Sequence, residues 1–284
     1  MARIDAHHHL WQYSPEEYGW IDETMALLRR DFLVDDLLRV AQTVGIEGAV
    51  TVQARQSLEE TNWLLEIAGR SEFVRGVVGW VPLVSSELPR VLDELKDHTK
   101  LRGVRHVVQD EPDPEFLWRS DFNRGITILR EYGLTYDILI FERQLSTAIR
   151  FVDQHPNQIF VLDHGGKPCI RNNSLQPWQD QISDLARREN VYCKISGLVT
   201  EANWKTWSEQ ELAPYIDTLL EAFGPQRLMV GSDWPVCLVA ASYQNWFETL
   251  SHLLSRLSED ETQSIMGGTA LKAYRIPARA EVSQ

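Results

Sequence analysis

The sequence has 284 residues, of which 43% are hydrophobic and 24% are charged. These proportions are typical of a folded globular protein and exclude a disordered, collagen-like or coiled-coil chain. The formal net charge of −13 leaves no excess of basic residues for binding phosphate backbones or anionic lipids. Neither nucleic acid nor a membrane is therefore expected as a partner.

Two further features bear on the cell compartment. The N-terminal residues lack the pattern of a signal peptide, and no apolar run approaches the roughly 18 residues of a membrane span. The three cysteines show no C-x-x-C spacing, which indicates reduced thiols rather than a disulfide framework or a zinc ribbon. We therefore expect a cytoplasmic protein.

Eight short segments rich in β-branched residues alternate with helical patterns along the chain. The predicted strands are 3–9, 47–54, 74–81, 101–108, 135–141, 159–165, 191–197 and 228–234. Most of the intervening segments carry apolar residues at the helical period. This alternation predicts a parallel sheet, and eight such units predict an α/β fold of the (β/α)₈ TIM barrel type, with an open doubly wound sheet as the alternative. We expect one domain over residues 1–284, with a loose polar tail at 277–284.

Helix boundaries are marked by two kinds of residue. A serine followed three residues later by glutamate, which is typical of a helix start, occurs at Ser57, Ser208 and Ser258. Glycines that predict helix ends are Gly45, Gly69, Gly133 and Gly224. Neither a G-x-G-x-x-G nor a G-x-x-x-x-G-K-[ST] motif occurs, so no nucleotide cofactor is expected.

Polar residues close three of the predicted strands, where the active site of a parallel barrel lies. The first strand ends in three histidines, and because strand side chains alternate, His7 and His9 point to the same side. His164 and Asp233 close the sixth and eighth strands. Together these side chains predict a site that binds a divalent metal or polarises a carbonyl, with Asp233 activating water. A helix cap for Asp233 and a structural role for His164 are the alternatives.

The chain is also rich in tryptophan, with ten residues of this type. Aromatic faces pack against the C–H surfaces of sugars, but they also fill ordinary hydrophobic cores. Both interpretations stay open for these tryptophans.

Several motifs in a fixed order carry a resemblance to a known family. They are IDAHHHLW (4–11), VQARQSLEET (52–61), LRGVRH (101–106), YDILIFERQL (136–145), VLDHGGKP (161–168), CKISGLVTEA (193–202) and FGPQRLMVGSDWPVC (223–237). Through them the chain resembles the amidohydrolase superfamily, and within it the sugar-lactonase branch of L-fuconolactonase and L-rhamnonolactonase-type enzymes. The resemblance implies a (β/α)₈ barrel that hydrolyses an aldonic acid lactone, L-fucono-lactone or a close stereoisomer, in sugar catabolism.

The same resemblance implies roles for individual residues. Asp233 and His164 correspond to catalytic residues, with Asp233 moving a proton to and from the hydrolytic water. The implied ligands of one divalent ion, zinc, are His7, His9, His164 and Asp233. The implied substrate-binding residues are Arg105, His106, Lys167 and Trp234, and either Arg105 or His106 faces away from the barrel interior.

Two departures from the family pattern limit what is carried over. The ends of the fourth and fifth strands lack the bridging Lys or Glu and the His of binuclear members, so a two-metal site is not expected. Relatives in this branch include metal-independent hydrolases, so one metal ion and none both remain open. Alternative functions are a metal-dependent decarboxylase of an aromatic carboxylic acid and an inactive sugar-binding barrel. The oligomeric state is open, a homo-oligomer included.

Overall fold

Eight parallel strands form a sheet at the centre of the protein. The computed structural model describes residues 2–277. Its strands are β1 Ile4–His8, β2 Gly48–Val52, β3 Val74–Gly79, β4 Leu101–Val107, β5 Thr135–Leu139, β6 Phe160–Leu162, β7 Val191–Ile195 and β8 Leu228–Val230. Each strand pairs with the next one in the chain, from β1 to β8, and a parallel bridge between His8 and Trp234 brings the two ends of the sheet together. The predicted TIM barrel is confirmed, and an open doubly wound sheet, whose strand order reverses, is excluded.

Helices follow every strand and pack around the sheet. They are α1 Val34–Thr43, α2 Leu58–Arg70, α3 Leu88–Leu95, α4 Ser120–Glu131, α5 Leu145–Gln154, α6 Trp178–Leu185, α7 Leu198–Glu201, α8 Glu209–Phe223, α9 Tyr243–Leu253, α10 Glu259–Gln263 and α11 Thr269–Ala273. None of the helices within residues 2–277 combines the length and the apolar character needed to cross a bilayer.

Helix boundaries follow the predicted signals with two exceptions. Ser208 and Ser258 form reciprocal capping boxes with the glutamates three residues later. Gly69 is not a helix end, because α2 continues to Arg70. Ser57 caps α2, but the carboxylate of Glu60 accepts hydrogen bonds from the backbone N–H groups of Ala54 and Arg55 instead of returning to the cap.

Two apolar clusters support the barrel. The larger lies mainly between the sheet and the surrounding helices. The smaller combines residues from several strands, among them Ile4, Val50 and Met229, with α11 and the residues that follow it. The hydroxyl of Thr135, at the start of β5, donates to the Ala273 carbonyl, so α11 closes the N-terminal end of the barrel. Except for Pro277, the tail predicted at 277–284 lies outside the described residues, and the assignment of residues 1–284 to one domain stays a prediction.

Candidate active site

The four polar residues predicted at strand ends converge in the folded chain. His7 Nε2 lies 3.2 Å from His9 Nε2, and Asp233 Oδ1 lies 3.4 Å from His9 Nε2 and 3.7 Å from His7 Nε2. The His164 ring packs against His7 with 4.4 Å between centroids. Each of His7, His164 and Asp233 offers one ligand atom within 4.8 Å of the others, and all three are buried. His9 lies beside this group.

The backbone around this cluster is shaped so that the side chains can meet. His164 and Asp233 have positive φ angles of 54° and 57°, a conformation that costs a residue with a Cβ roughly 1–3 kcal/mol and is concentrated at functional sites. Gly197 fits between them, because a Cβ there would lie 2.5 Å from His164 Nδ1 and 3.1 Å from Asp233 Oδ2. The close packing of His164 and Asp233 therefore depends on a glycine in the loop between β7 and α7.

Hydrogen bonds orient two of the imidazoles. His9 Nδ1 lies 2.8 Å from the Val52 carbonyl, and since a carbonyl only accepts, His9 donates through Nδ1, while its Nε2 faces His7 and Asp233. His164 Nδ1 lies 2.9 Å from Ser196 Oγ. Burial lowers the pKa of His164 to about 4, so this ring is neutral near pH 7. Metal-binding histidines in proteins are commonly supported by such a bond at the second nitrogen.

Asp233 is held as a carboxylate. Burial alone would raise its pKa, but His164, His9 and Lys167 more than offset this effect and lower the pKa below the usual value. An ionised, buried carboxylate beside the neutral His164 ring can accept a proton from water or bind a cation.

A buried charge network lies beneath the histidines and was not predicted from the sequence. Lys194 Nζ on β7 lies 2.6 Å from Asp137 Oδ2, 2.9 Å from Asp163 Oδ1 and 3.1 Å from His7 Nδ1. Arg105 Nη1 donates to Asp163 Oδ2 over 3.0 Å. A lysine and an aspartate inside otherwise apolar strand segments were the available sequence signal, because such charges are buried only when they are paired.

The cluster opens into a cavity of about 580 Å³. Five predicted residues line it, namely His9, Arg105, His164, Lys167 and Asp233. Of the tryptophans, Trp20 and Trp204 are lining residues, whereas Trp11, Trp178 and Trp246 are fully buried in the core. The core interpretation is thus confirmed for three tryptophans, whereas packing against a sugar stays a prediction for Trp20 and Trp204.

Two predicted substrate-binding residues are not brought to the cavity, which corrects their assignment. His106 follows Arg105 on β4, so its side chain points to the other side of the sheet, where it pairs with Glu111 at 2.6 Å and stacks on Phe116. Trp234 is only 2% exposed and packs edge-on against Phe32 in the core.

Comparison with known proteins identifies the family. Residues 4–276 match the family model described as amidohydrolase. The chain belongs to the amidohydrolase family. It is 40% identical to L-fucono-1,5-lactonase of Burkholderia multivorans over 98% of each chain, and 34% identical to a protein of the same name from Burkholderia ambifaria over 96% of each chain. A crystal structure of a Burkholderia multivorans amidohydrolase with bound Zn has a TM-score of 0.95 at 41% identity, covering 98% of this chain and 100% of that one. The predicted resemblance is confirmed.

Proposed function

We propose that this protein hydrolyses L-fucono-1,5-lactone, or a close stereoisomer, to the open-chain aldonic acid. Lactone hydrolysis as the reaction class is confirmed by the two relatives named as lactonases at 40% and 34% identity over nearly the full length. The observation that carries the chemistry is the ionised Asp233 carboxylate, which lies with His9 and His164 in the wall of a single cavity. The names of these two relatives favour neither a decarboxylase nor an inactive sugar-binding barrel.

Asp233 is proposed as the general base. Its carboxylate takes a proton from water as the water oxygen forms a bond to the lactone carbonyl carbon, which produces a tetrahedral oxyanion. Arg105, a cavity-lining cation, stabilises that oxyanion, and removing one oxyanion donor typically costs about 2.7–4 kcal/mol. When the ring C–O bond breaks, protonated Asp233 returns its proton to the departing alkoxide, which becomes a hydroxyl group.

The proposal includes one divalent ion, with zinc as the specific candidate. His7, His164 and Asp233 fit it, because their ligand atoms converge and Ser196 supports His164 at its second nitrogen. When bound, such an ion would act as a Lewis acid toward the carbonyl and would lower the pKa of a bound water. The zinc-bound relative supports this choice of ion, and His9 remains the proposed fourth ligand.

The charge of the cavity wall supports an uncharged substrate. Its basic residues are Arg55, Arg105 and Lys167, and its acidic residues are Glu17, Asp110, Glu201 and Asp233. Apart from Asp233, which the proposed ion would bind, three acidic and three basic side chains remain, so the rest of the wall holds no excess positive charge for a carboxylate substrate. A neutral, polyhydroxylated lactone is compatible with this balance, whereas an aromatic acid must bring an anion into it.

The test is a panel of aldonolactones assayed with a pH indicator, with the metal content of the same preparation measured by elemental analysis. We expect L-fucono-1,5-lactone or a close stereoisomer to have the highest kcat/KM. Replacing Asp233→Asn should lower kcat/KM about 10²–10⁴-fold, whereas the control Asp110→Asn, another aspartate of the wall, should change it far less. Absence of hydrolysis across the panel would refute the substrate class, and a nearly active Asp233→Asn would refute the base.

A further inference from the structure

A second polar cluster lies on the cavity wall, on the loops that follow β1 and β2. Arg55 Nη1 forms an ion pair with the Glu17 carboxylate, and its guanidinium lies 5.4 Å from the centroid of the Tyr18 ring. Arg55 and Glu17 both line the cavity. Their side chains are 20% and 46% exposed, so a molecule in the cavity can reach this pair.

Glu60 supports this pair from below. Its side chain is fully buried, and its Oε2 accepts hydrogen bonds from the backbone N–H groups of Ala54, at 3.0 Å, and Arg55, at 2.8 Å. Its Oε1 accepts from the Tyr18 hydroxyl at 3.5 Å and lies 3.8 Å from Arg55 Nε. The glutamate thus holds the backbone and the guanidinium of the same residue.

The position of Glu60 is costly in free energy. Removing a carboxylate from water is unfavourable unless its oxygens are fully paired, and burial raises the pKa of Glu60 to about 7 despite its N–H donors. The start of α2 does not need this carboxylate, because Ser57 already caps it. Polar groups retained at a cost to stability are concentrated at functional sites, and here the group that benefits is Arg55.

The chemistry of the pair matches neighbouring hydroxyl groups. A guanidinium carries five N–H donors in a planar fork; Arg55 Nε is buried on the Glu60 side, so the donors that a molecule in the cavity can reach are those of the Nη groups. The adjacent Glu17 carboxylate only accepts. Two vicinal hydroxyl groups can accept from the guanidinium and donate to the carboxylate, whereas an unsubstituted lactone ring has no hydroxyl donor and can accept only through its ester oxygens.

We propose that the Arg55–Glu17 pair binds vicinal hydroxyl groups of the lactone and determines selectivity for polyhydroxylated substrates, with Glu60 as the positioning residue for Arg55. This inference rests on the proposed lactonase function. It assigns substrate selectivity to the wall formed by the β1 and β2 loops, apart from the histidines and Asp233 that carry the chemistry.

The experiment compares kcat/KM for L-fucono-1,5-lactone with that for δ-valerolactone, a 1,5-lactone without hydroxyl groups. Because a hydrogen bond to a charged group is worth about 1.5–3 kcal/mol, Arg55→Met should lower the ratio of the two kcat/KM values roughly 10- to 100-fold. Glu17→Gln should lower it less. Glu60→Gln keeps an acceptor for the backbone N–H groups but removes the charge, and should raise KM for the hydroxylated lactone more than it lowers kcat.

The matched control is the ion pair between Glu23 and Arg29, whose Oε1 and Nη1 atoms are 2.9 Å apart. It lies on the same β1–α1 loop as Glu17 but does not line the cavity. Glu23→Gln and Arg29→Met should leave the selectivity ratio at the wild-type value. If the Arg55 and Glu60 variants lost kcat/KM equally on both lactones and also had a lower Tm, the cluster would have only a structural role and the inference would be overturned. A wild-type protein that hydrolyses no aldonolactone would instead refute the proposed function.

Discussion

Lys194→Met tests whether paired charge, rather than packing, stabilises the interior of the barrel. Lys194 is fully buried, with Asp137 and Asp163 within 2.9 Å of its ammonium nitrogen. In the variant, Asp163 keeps Arg105 at 3.0 Å, but among residues 2–277 the one side-chain partner left to Asp137 is the Tyr274 hydroxyl at 2.7 Å. Removing one partner of a buried ion pair costs about 3–5 kcal/mol, a large part of the roughly 5–15 kcal/mol by which a typical domain is stable.

The assay is urea denaturation followed by circular dichroism, with a double-mutant cycle. Asp137→Asn in the Lys194→Met background removes the unpaired carboxylate and should restore part of the lost free energy of unfolding, so the two changes should be strongly non-additive. The control Lys96→Met breaks an exposed 3.5 Å pair with Asp93 and should change stability by less than about 1 kcal/mol. Additive effects of the Lys194 and Asp137 changes would refute the electrostatic explanation.

Two further changes test the site and its support. Gly197→Ala places a methyl group 2.5 Å from His164 Nδ1 at a position with φ of 61°, so kcat/KM should fall about 10²-fold. The control is Gly19→Ala, where the methyl group meets nothing within 4 Å. A Gly197→Ala variant with wild-type kcat/KM would refute the role of Gly197 in placing His164 and Asp233. The folded pKa of Glu60, about 7, is above its ordinary value of 4.5 because of burial, so its ionisation destabilises the fold as pH rises from about 4.5 to 7. The free energy of unfolding of Glu60→Gln should therefore increase relative to wild type between pH 5 and pH 8, while that of the exposed control Glu66→Gln should not; a pH-independent difference would show that Glu60 does not titrate in this range.

The barrel and its catalytic candidates were accessible from the sequence for a physical reason. Runs of β-branched residues separated by helical periods leave few alternatives to a parallel sheet, and the strand ends of a closed barrel converge whatever the details of packing. His7, His9, His164 and Asp233 could thus be grouped before any distance was known. The sequence did not determine which residues of β4 point into the barrel, since Arg105 and His106 are adjacent and only one of them can face the cavity.

Other features depend on tertiary contacts that local patterns do not encode. Glu60 stands at the position of a capping-box glutamate. Its carboxylate nevertheless accepts from the N–H groups of Ala54 and Arg55 and not from the N–H group of the cap residue, Ser57. Gly69 resembles a helix end, but α2 continues past it, since one glycine costs a helix only about 1 kcal/mol. Trp234 follows a catalytic candidate in the sequence, but its packing against Phe32 places it in the core.

The C-terminal segment links barrel closure to the chemistry of the site. Tyr274, directly after α11, is fully buried and donates to the same Asp137 oxygen that accepts from Lys194. Lys194 in turn contacts His7, and burial followed by this nearby cation lowers the pKa of His7 well below its usual value. Residues 269–277 line no part of the catalytic cavity, yet Tyr274 shares an acceptor with Lys194, the cation that, after burial, lowers the pKa of His7 most. Neutral histidine is the form that can bind a metal ion, so the residues that close one end of the barrel help to set the electrostatics at the other.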